Sequence, residues 1–580
     1  MTLLSVASFA TLAAGGPAAA DGGTPDSGAS LTWGAAKQVP GMSTLEDGGT
    51  GQLSAVSCAA AGDCSAGGSY VDESTHLTQA FVVGESGGTW GSAQGLPDVA
   101  NILNIGGLAA VTAISCAFAG NCGATGYYQA GGNVHPFVVA ESGSAWDGAS
   151  AVVGTGTGYA SSTAESCAAP EHCTIGGYMT GGTDREVGFI DEQLPTDAWA
   201  SVLPLANLLG QLVTTDSTSS VAAISCRSVG DCSAGGNYET NGSIEGFVVD
   251  ETNGTWRAAK QVAGSLNVKA FAEVTDVSCY SAGNCAAVGF YSPAAAQERP
   301  FIVTSKNGTW GSAMTVPGIG ALDTGHNSAL TAVSCGPAGG AGNCTAGGSY
   351  YVAKNASRQA FTVTEKNGTW ETARAVSGLA ARNTGKFAGV DAISCVSPGD
   401  CSVAGSYATT GHVQQVWVAS QHNGSWGSAG TIAGLINLNA GGNAEVTGLS
   451  CASVSSCGIV GSYYAGPNDQ QPFVASGAIA LPTTATLALS AGTIVYGHEQ
   501  SEKLNVTVKA VGGAPPTSGT VVVKAGSAPV CTIALSDGAG SCRPAGSKLK
   551  PGTYSLTATY GPTQNFMSST SPAKTLKVKK

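Results

Sequence analysis

Closely spaced pairs of cysteines divide most of this chain into repeats, and this regularity constrains the fold more than any other feature. The pairs recur with a period of about 56 residues. Their members are Cys58/Cys64, Cys116/Cys122, Cys167/Cys173, Cys226/Cys232, Cys279/Cys285, Cys335/Cys344, Cys395/Cys401 and Cys451/Cys457. Self-similarity at such a period is the signature of a radial or stacked repeat architecture. The repeats say much about how the protein is built and little about what it binds.

One repeat, 330–372, contains four short candidate strands, which we label a to d. Strand a runs up to Cys335, and strand b runs from Cys344 to a Gly-Gly pair followed by an aromatic residue. Strand c alternates around Phe361, with the periodicity of a strand, and strand d begins at Trp370. Between c and d, Asn367-Gly368 supplies the positive φ angles of a type I′ turn. Four antiparallel strands per repeat predict a propeller blade.

The tryptophans predict how the ring closes. Seven units end in one, namely Trp90, Trp146, Trp199, Trp256, Trp310, Trp370 and Trp426. The eighth unit ends at residues 473–475 without a tryptophan, whereas residues 33–41 match residues 310–318 in their Trp-Gly, Ala and Val-Pro-Gly positions. The N-terminal segment therefore supplies strand d of the last blade, which removes open sheet edges. We expect residues 31–480 to form a closed eight-bladed β-propeller.

Two family resemblances follow from these motifs. The Gly-Gly pair of strand b, the aromatic residue of strand c and the tryptophan of strand d resemble the kelch-type propeller blade over roughly residues 31–480. The Asn-Gly-Thr-Trp turn is similar to the Asp-box of sialidases, but it is one residue shorter.

The period ends after Pro482, and the run 549–561 resembles the bacterial Ig-like domains of secreted and surface proteins. The resemblance implies a spacer or adhesive module over residues 483–580, an Ig-like β-sandwich, so the whole chain is predicted to be all-β.

The eighteen cysteines point to an oxidising compartment. Five residues separate the partners in seven of the eight pairs, which suits a disulfide across the a–b hairpin better than a zinc knuckle. Cys531 and Cys542 form a further pair flanking a hairpin that turns at Asp537-Gly538. We expect all eighteen cysteines to be joined locally, so that each blade is pinned individually by its own disulfide.

The N-terminal residues predict export. Residues 1–20 read as the apolar core and Ala-x-Ala end of a secretory signal peptide. The basic segment that precedes such a core is missing, so we expect the precursor to begin upstream. Residues 21–30 form a flexible lead-in. No other run of about twenty apolar residues predicts a membrane span. We expect a monomer that is secreted and extracellular, either free or associated with the cell surface.

Charge and residue types exclude some functions. A net charge of −13 leaves no basic stripe for a phosphate backbone, so no nucleic-acid partner is expected. The seven histidines do not form metal-binding spacings, and the arginines do not cluster as a sialidase site requires. The sequence therefore predicts no catalytic residue, no metal ligand and no cofactor.

The connections between strands suggest where a partner binds. The a–b and c–d turns are short and uniform, whereas the b–c and d–a connections look long and variable, as at 291–299, 463–468 and 318–328. Variable loops on a rigid scaffold often carry binding. A mostly polar position two residues before the strand-c aromatic supplies the candidate binding residues Gln79, His135, Glu245, Arg299, Gln359, Gln415 and Gln471. Interblade hydrogen bonding is the alternative role for these side chains.

These observations lead to two functional hypotheses. The first is a non-enzymatic recognition or adhesion protein that binds an extracellular glycan or protein through the variable loops. The second is a carbohydrate-active enzyme on the same scaffold, of the glycosidase or copper-oxidase type. A kelch-type propeller followed by an Ig-like domain resembles the layout of galactose-oxidase-like copper enzymes, for which His498 beside Tyr496 is the candidate ligand pair.

Overall fold

The computed structural model of the protein describes residues 31–46, 49–156, 158–180, 185–194, 199–213, 217–267, 271–294, 297–336, 342–353, 356–478, 482–510, 515–516, 519–561 and 566–580. The predicted signal peptide and lead-in, residues 1–30, lie outside this part of the chain. Two compact units divide the protein: Gly34–Gly477 make up one, and Ala478–Lys580 form most of the other. Within the described residues, no helix is long and apolar enough to cross a membrane.

The first unit consists of eight antiparallel sheets with the strand order a-b-c-d. The strands a are Gly51–Ala60, Ala109–Phe118, Ala160–Ala169, Ser219–Ser228, Ala272–Ser281, Ser328–Cys335, Ala392–Ser397 and Ala444–Ser453. The strands b are Asp63–Asp72, Asn121–Ala130, His172–Thr180, Asp231–Thr240, Asn284–Ala294, Cys344–Val352, Asp400–Ala408 and Ser456–Gly466. The strands c are Leu77–Ser86, Asn133–Ser142, Glu186–Glu192, Ser243–Asp250, Gln297–Lys306, Ser357–Lys366, Gln414–His422 and Asp469–Ala478. We number the blades 1 to 8 in this order.

Strand d is short and in several blades broken into two pieces. For blades 1 to 7 its segments are Thr89–Trp90 with Gln94–Gly95, Ala145–Trp146 with Ser150–Ala151, Leu203–Pro204, Lys260–Val262, Thr309–Trp310 with Met314–Thr315, Thr369–Trp370 with Arg374–Ala375, and Ser425–Trp426. Short helical turns follow strand d: Met42–Leu45, Leu205–Leu209, Ile319–Leu322 and Leu435–Leu438 are α-helical, Val99–Leu103 is a π-helix and Gly210–Leu212 is a 3-10 turn. These turns shape the connections to the next blade.

The N-terminal segment closes the ring. Thr32–Trp33 and Lys37–Gln38 are strand d of blade 8 and pair with Asp469–Ala478, with Lys37 opposite Val474 and Gln38 opposite Phe473. Strand a of each blade packs against strand a of the next, and strand a of blade 8 packs against that of blade 1. The predicted eight-bladed β-propeller, closed by an N-terminal strand, is confirmed.

The Gly-Gly pair lies in the middle of strand b rather than at its end, opposite a bulge in strand a. In blade 1 the register shifts between Leu53 and Ala55. A Cβ on Gly68 would lie 2.0 Å from the carbonyl oxygen of Gln52, and one on Gly67 would lie 2.6 Å from Val111 of the next blade. The first glycine therefore permits close packing of neighbouring blades, and the second permits the bulge.

The disulfides clamp the a–b turns. All eighteen cysteines are described and are joined in nine disulfides, which confirms the predicted pairing. In the blades the bonds join Cys58 with Cys64, Cys116 with Cys122, Cys167 with Cys173, Cys226 with Cys232, Cys279 with Cys285, Cys335 with Cys344, Cys395 with Cys401, and Cys451 with Cys457. The members of each pair lie directly opposite each other on strands a and b, with Cα atoms 4.0 Å apart in blade 1.

The disulfides also contact neighbouring blades, in addition to pinning their own. In four blades the sulfur of the second cysteine lies beside a strand-b hydroxyl of the preceding blade. Cys232 Sγ lies 3.6 Å from Thr174 Oγ1, and Cys285 Sγ lies 3.2 Å from Ser233 Oγ. Cys401 Sγ lies 3.3 Å from Thr345 Oγ1, and Cys457 Sγ lies 3.9 Å from Ser402 Oγ. Because a disulfide sulfur carries no hydrogen, the hydroxyls are the donors, and Cys232, Cys285, Cys401 and Cys457 join blades as well as hairpins.

The a–b and c–d turns share one face of the propeller. In blade 1 the N–H of Gly88 in the c–d turn donates to the carbonyl oxygen of Gly62 in the a–b turn at 2.9 Å. The corresponding bond from Gly308 to Gly283 in blade 5 measures 2.8 Å. We call this side of the ring the turn face.

The opposite face carries the b–c and d–a connections, and we call it the loop face. Its d–a loops are long, but the b–c connections are shorter than the sequence suggests. In blade 5, Ala294 pairs with Gln297, and in blade 8, strand b continues to Gly466 before strand c begins at Asp469. The expectation of long b–c loops at 291–299 and 463–468 is wrong, because both strands continue their ladder beyond the aromatic residues.

The C-terminal unit is a two-sheet β-sandwich. One sheet contains Thr483–Leu489, Leu504–Ala510 and Ala539–Cys542; the other contains Thr493–Val495, Lys574–Lys579, Gly552–Tyr560, Thr520–Ala525 and Ala528–Ala534, with Ser569–Thr570 beside Gly552–Tyr560. Leu487 and Val506 of the first sheet pack with Val521, Leu556 and Leu576 of the second. A 3-10 turn, Glu499–Ser501, lies between strands.

The disulfide of this unit differs from the predicted hairpin clamp. Cys531 and Cys542 are joined, and the chain does turn at Asp537 and Gly538, which have φ angles of 49° and 73°. However, the strands carrying the two cysteines belong to different sheets. The disulfide joins the two sheets, because the chain crosses from one to the other at the turn.

Candidate binding site at the mouth of the channel

The eight strands a surround the centre of the ring, and each begins at the loop face. We call the opening of the central channel at the loop face the mouth. Its position follows from the path of the chain. In blade 1 the N–H of Thr78, at the start of strand c, donates to the carbonyl oxygen of Gly107 in the d–a loop at 2.9 Å. Thr78 also bridges to Leu108, just before the next strand a. The start of each strand c therefore lies beside the start of the following strand a.

The predicted binding residues contact the d–a loops. The carbonyl oxygen of the Gln79 side chain accepts from Asn104 Nδ2 at 2.9 Å, and Glu245 accepts from Asn267 Nδ2 at 2.9 Å. Gln471 Nε2 donates to the backbone oxygen of Gly49 at 3.1 Å. All three predicted residues are buried. Their hydrogen bonds hold connections between blades in place, and direct contact with a ligand stays a prediction.

Arg299, which is the residue of blade 5 equivalent to Gln79, forms an ion pair with the d–a loop. Its Nη1 lies 2.5 Å from Asp323 Oδ2, and its Nη2 lies 2.6 Å from His326 Nδ1. Asp323 is fully buried and also accepts from the Ser328 hydroxyl at 2.6 Å. The other three predicted residues are His135, Gln359 and Gln415, which lie beside Tyr128, Ser357 and Tyr407 respectively.

A second set of charged residues, which the sequence analysis did not single out, does converge on the mouth. Glu273 and Glu445 lie in strands a, and Asp391 lies immediately before a strand a. Glu298 and Arg358 lie in strands c, each one residue before a predicted binding residue. All five are half-buried. The arc runs from blade 5 to blade 8, and Arg358 influences the pKa of both Glu298 and Asp391. We call these five residues the acidic arc.

Burial dominates the electrostatics of the acidic arc. It raises the pKa of Glu273 and Glu298 above the ordinary value of 4.5. Burial also raises the pKa of Asp391 to about 6, although the Ser406 hydroxyl, 2.7 Å away, and the positive charge of Arg358 oppose the shift. The negative charge of Glu445 adds to it. Desolvation thus keeps a fraction of the Asp391 carboxyl protonated near neutral pH.

Asp391 replaces a structural threonine. In blade 6 the equivalent Thr331 donates to Gly347 at 3.2 Å and to Val390 of the next blade at 2.7 Å. Asp391 occupies this bulged position in blade 7 and cannot make the same bonds while ionised. An alignment of the eight repeats would have revealed this exception in the sequence.

Aromatic rings lie at the same level of the ring, both in blade 3 and in blades that contribute to the acidic arc. Tyr159 and Tyr178 stack with centroids 6.0 Å apart and planes at 17°, and burial raises the pKa of the neighbouring Tyr127. Phe271 and Phe290 of blade 5 stack at 5.6 Å and 23°. The guanidinium of Arg358 lies 4.8 Å from the centroid of Phe387. The mouth therefore combines flat apolar surfaces with carboxylates and the Arg358 guanidinium.

No described residues form the predicted copper ligand set. In the described part of the chain, the cluster of three potential metal ligands is Glu165, Cys167 and Cys173, and its two sulfurs are joined in a disulfide. His498 lies immediately before the 3-10 turn of the C-terminal unit. The copper hypothesis gains no support from this arrangement.

Similarities to solved structures are weak in this case. The Chaetomium thermophilum Sqt1 structure has 13% identity and a TM-score of 0.36, covering 60% of this chain and 82% of its own. An ancestral GH74 enzyme has 13% identity and a TM-score of 0.37, covering 91% of this chain and 63% of its own. A neuraminidase-like protein of influenza A from a flat-faced bat has 11% identity and a TM-score of 0.30, covering 63% and 86%. Scores of this size carry no conclusion about function.

The family match lies mostly in the C-terminal unit. No curated protein matches the chain. The model of the bacterial Ig-like domain (group 3) matches residues 474–579, which cover the β-sandwich and the end of the last strand c of the propeller, Asp469–Ala478. The C-terminal unit is therefore an Ig-like β-sandwich, similar in sequence to the bacterial Ig-like domains of group 3.

Proposed function

We propose that this protein is a secreted or cell-surface recognition protein that binds carbohydrate at the mouth of the propeller channel. The observation that carries the proposal is the combination, at one level of one ring, of stacked aromatic pairs with the acidic arc. We also propose that the blades are related to those of the kelch type. Direct participation of Gln79, His135 and the other predicted positions is secondary, since most of them support the d–a loops.

The chemistry of the mouth suits a sugar. Pyranose rings present C–H groups on their faces, which pack on aromatic rings such as Tyr159, and hydroxyls at their edges. Carboxylates accept hydroxyl protons, and the Arg358 guanidinium donates to ring or hydroxyl oxygens. A few polar groups placed within an apolar surround are typical of sites for small ligands.

An extracellular location agrees with the covalent structure. Nine disulfides persist in oxidising compartments and are rare in the cytosol. The Ig-like unit supports the same conclusion through its similarity to domains of exported proteins. We therefore expect the ligand to be an extracellular glycan.

A glycan array with two variants tests this function. Asp391→Thr installs the threonine found in five of the other blades and should reduce binding at least tenfold without lowering the melting temperature by more than a few degrees. Glu371→Gln removes an exposed carboxylate away from the mouth and should bind like the wild type. Equal binding by Asp391→Thr and the wild type would refute the mouth as the site.

One observation favours an enzyme as the second candidate. Burial raises the pKa of Asp391 to about 6, and the negative charge of Glu445 adds to the shift; a raised pKa is what the general acid of glycoside hydrolysis requires. Asp391 would protonate the glycosidic oxygen as its C–O bond breaks, and Glu445 would assist the attacking water. Hydrolysis of 4-nitrophenyl glycosides that is lost in Asp391→Asn would establish this function instead.

A further inference from the structure

The turn face contains a second feature, which begins with how tryptophans join neighbouring blades. Trp310 Nε1 of blade 5 donates to Asp250 Oδ2 of blade 4 at 2.8 Å, and Trp90 Nε1 of blade 1 donates to Ser476 Oγ of blade 8 at 3.1 Å. Trp256 Nε1 donates to Glu192 in the same way. In each case the acceptor is the third residue after the strand-c aromatic of the preceding blade.

Two junctions have no polar side chain at the acceptor position. Between blades 2 and 3 the equivalent residue is Ala140. Between blades 1 and 2 it is Gly84, and a Cβ placed there would meet only the Cys64 carbonyl oxygen, at 4.0 Å. The facing tryptophan is Trp146, whose Nε1 makes no hydrogen bond to any residue that the structure describes. Trp370 Nε1 of blade 6 is also without a partner among the described residues, but it is buried and Thr304 holds the acceptor position there. Only Gly84 leaves the acceptor position without a side chain.

A cavity of about 200 Å³ occupies this junction. Its lining includes Asp63, Ser65 and Glu85 of blade 1 and Phe118, Glu141 and Trp146 of blade 2. Since one water molecule takes about 30 Å³ of liquid, the space holds roughly six waters. Drug-sized ligands need about 300 Å³ or more, so the cavity suits a smaller molecule. We call it the blade 1–2 cleft.

The rim of the cleft carries an aromatic residue that the fold does not require. Phe118 is 47% exposed at the end of strand a. At the same position, two residues after the first cysteine, the other blades have small residues or proline, for example Ala60, Ala169 and Ser228. An exposed phenyl ring at this position gains little from burial, so its presence beside a polar cavity points to a ligand.

Hydrogen-bonding capacity inside the cleft is only partly used. Glu141 is buried, and its Oε2 accepts from the Ser65 hydroxyl at 3.3 Å, a long bond. That bond leaves Glu141 Oε1 open to a hydroxyl donor, and Trp146 Nε1 is available to donate to a ligand. The cleft thus offers one donor, carboxyl acceptors from both blades and an apolar ring at its entrance.

We propose that the blade 1–2 cleft binds a single pyranose unit of a glycan. A sugar oxygen accepts from Trp146 Nε1, sugar hydroxyls donate to Glu141 and Asp63, and Phe118 packs on the C–H face of the ring. This site lies on the turn face and does not depend on binding at the channel mouth. A cation suits the cleft less well, because burial raises the pKa of Glu85 and Glu141 and so disfavours their charged forms.

Saturation-transfer NMR with the methyl pyranosides of glucose, galactose, mannose and N-acetylglucosamine tests the proposal. The full chain carrying Asp391→Thr is used, so that signals do not arise from the mouth. We expect saturation transfer to at least one sugar, with a millimolar dissociation constant. Gly84→Ser reproduces the arrangement of Ser476 and should weaken binding at least fivefold, because the serine occupies Trp146 Nε1. Trp146→Phe, which keeps a ring but removes the N–H, should have a similar effect.

The controls separate folding from binding. Ser420→Gly makes the equivalent change in blade 7, outside the lining of the cleft, and should leave binding within twofold. If Gly84→Ser does not melt cooperatively, Phe118→Ser replaces it, since Ser228 and Ser281 occupy that exposed position elsewhere, and it should weaken binding about threefold. Absence of saturation transfer from all four sugars, or unchanged affinity in every cleft variant, would overturn the proposal. Neither result would bear on the mouth, which the glycan array tests separately.

Discussion

Glu165 is the most unusual residue of the propeller core. It lies in strand a of blade 3, where the other blades have Val56, Ile114 or similar apolar residues. It is 1% exposed, and neither carboxyl oxygen has a hydrogen-bond partner among the described residues. Gly123 of blade 2 makes room for it, since a Cβ there would lie 2.3 Å from Glu165 Oε1. Burial without a partner raises the pKa of Glu165 well above 4.5.

Replacing this carboxyl should stabilise the protein. Glu165→Ile installs the residue of blades 2 and 4 and removes a buried unsatisfied group, which costs about 1–3 kcal/mol. Because the folded-state pKa is raised, the unfolded state ionises first, and stability falls as pH rises from about 4.5 towards the folded pKa. The gain from Glu165→Ile should therefore increase with pH over that range.

Urea unfolding at several pH values measures the effect. Glu171→Gln, which changes an exposed carboxyl of the same blade, serves as the control and should stay within about 0.5 kcal/mol of the wild type. A gain that does not depend on pH would contradict a buried, protonated Glu165.

At the scale of elements, one Ser-Cys dipeptide per blade joins the strands a into a continuous ring. At all eight junctions the serine hydroxyl accepts from the backbone N–H of the next blade's first cysteine, at 2.9–3.0 Å. The serines are Ser57, Ser115, Ser166, Ser225, Ser278, Ser334, Ser394 and Ser450. Ser450 accepts from Cys58, so the ring of hydrogen bonds also spans the junction between the last blade and the first. The repeat thus encodes contacts between blades as well as within them.

Removing one of these hydroxyls should be costly. Ser225 is buried, and Ser225→Ala leaves the N–H of Cys279 without its partner. We expect a loss of about 1–3 kcal/mol in unfolding free energy, the cost of an unsatisfied buried donor. Ser228→Ala removes an exposed hydroxyl of the same strand and should change stability by less than about 0.5 kcal/mol. Equal losses in the two variants would argue against a special role for the ring.

The disulfides act at the same scale. Each blade disulfide closes a short loop within one hairpin and contributes about 2 kcal/mol by the chain-entropy estimate. Peptide mapping under non-reducing conditions should find the eight blade pairs and the pair of Cys531 with Cys542, with no free thiol. A cross-blade pair would contradict the assigned register of strands a and b.

For the whole molecule, the closure of the ring is the decisive contact. The N-terminal strand adds hydrogen bonds to strand c of blade 8, and Val39 and Met42 pack into the core of blade 1. These interactions join residues far apart in the chain, for example Gln38 and Gln471, whose side chains hydrogen-bond at 2.8 Å. Without them, an apolar edge strand would be exposed.

Deleting residues 31–42 should therefore open the propeller. We expect the loss of a single cooperative melting transition and aggregation through the exposed strand Asp469–Ala478. Calorimetry and light scattering measure both effects. Deleting residues 21–30 alone is the control. A protein that stays monomeric and melts cooperatively after deletion of residues 31–42 would contradict the role assigned to the N-terminal strand.

Local, repeated patterns carried most of the fold. Cysteine pairs, Asn-Gly turns and the displaced Trp33 segment specify blade number, hairpin pairing and closure, because each depends on backbone geometry within one repeat. Contacts between repeats, such as those of the Cys285 and Cys401 sulfurs with the preceding blades, could not be predicted from these patterns. The C-terminal sandwich was predicted from its sequence, but only the path of the chain places Cys531 and Cys542 in different sheets.

The proposed binding surfaces depend on tertiary structure. The sequence pointed to Gln79 and its equivalents because they repeat, yet repetition marks structural roles, and most of these side chains hold the d–a loops. The mouth and the cleft arise instead where the repeat is broken, at Asp391 and Gly84. Their partners, such as Glu445 and Trp146, come from other blades, so only closure of the ring brings these groups together.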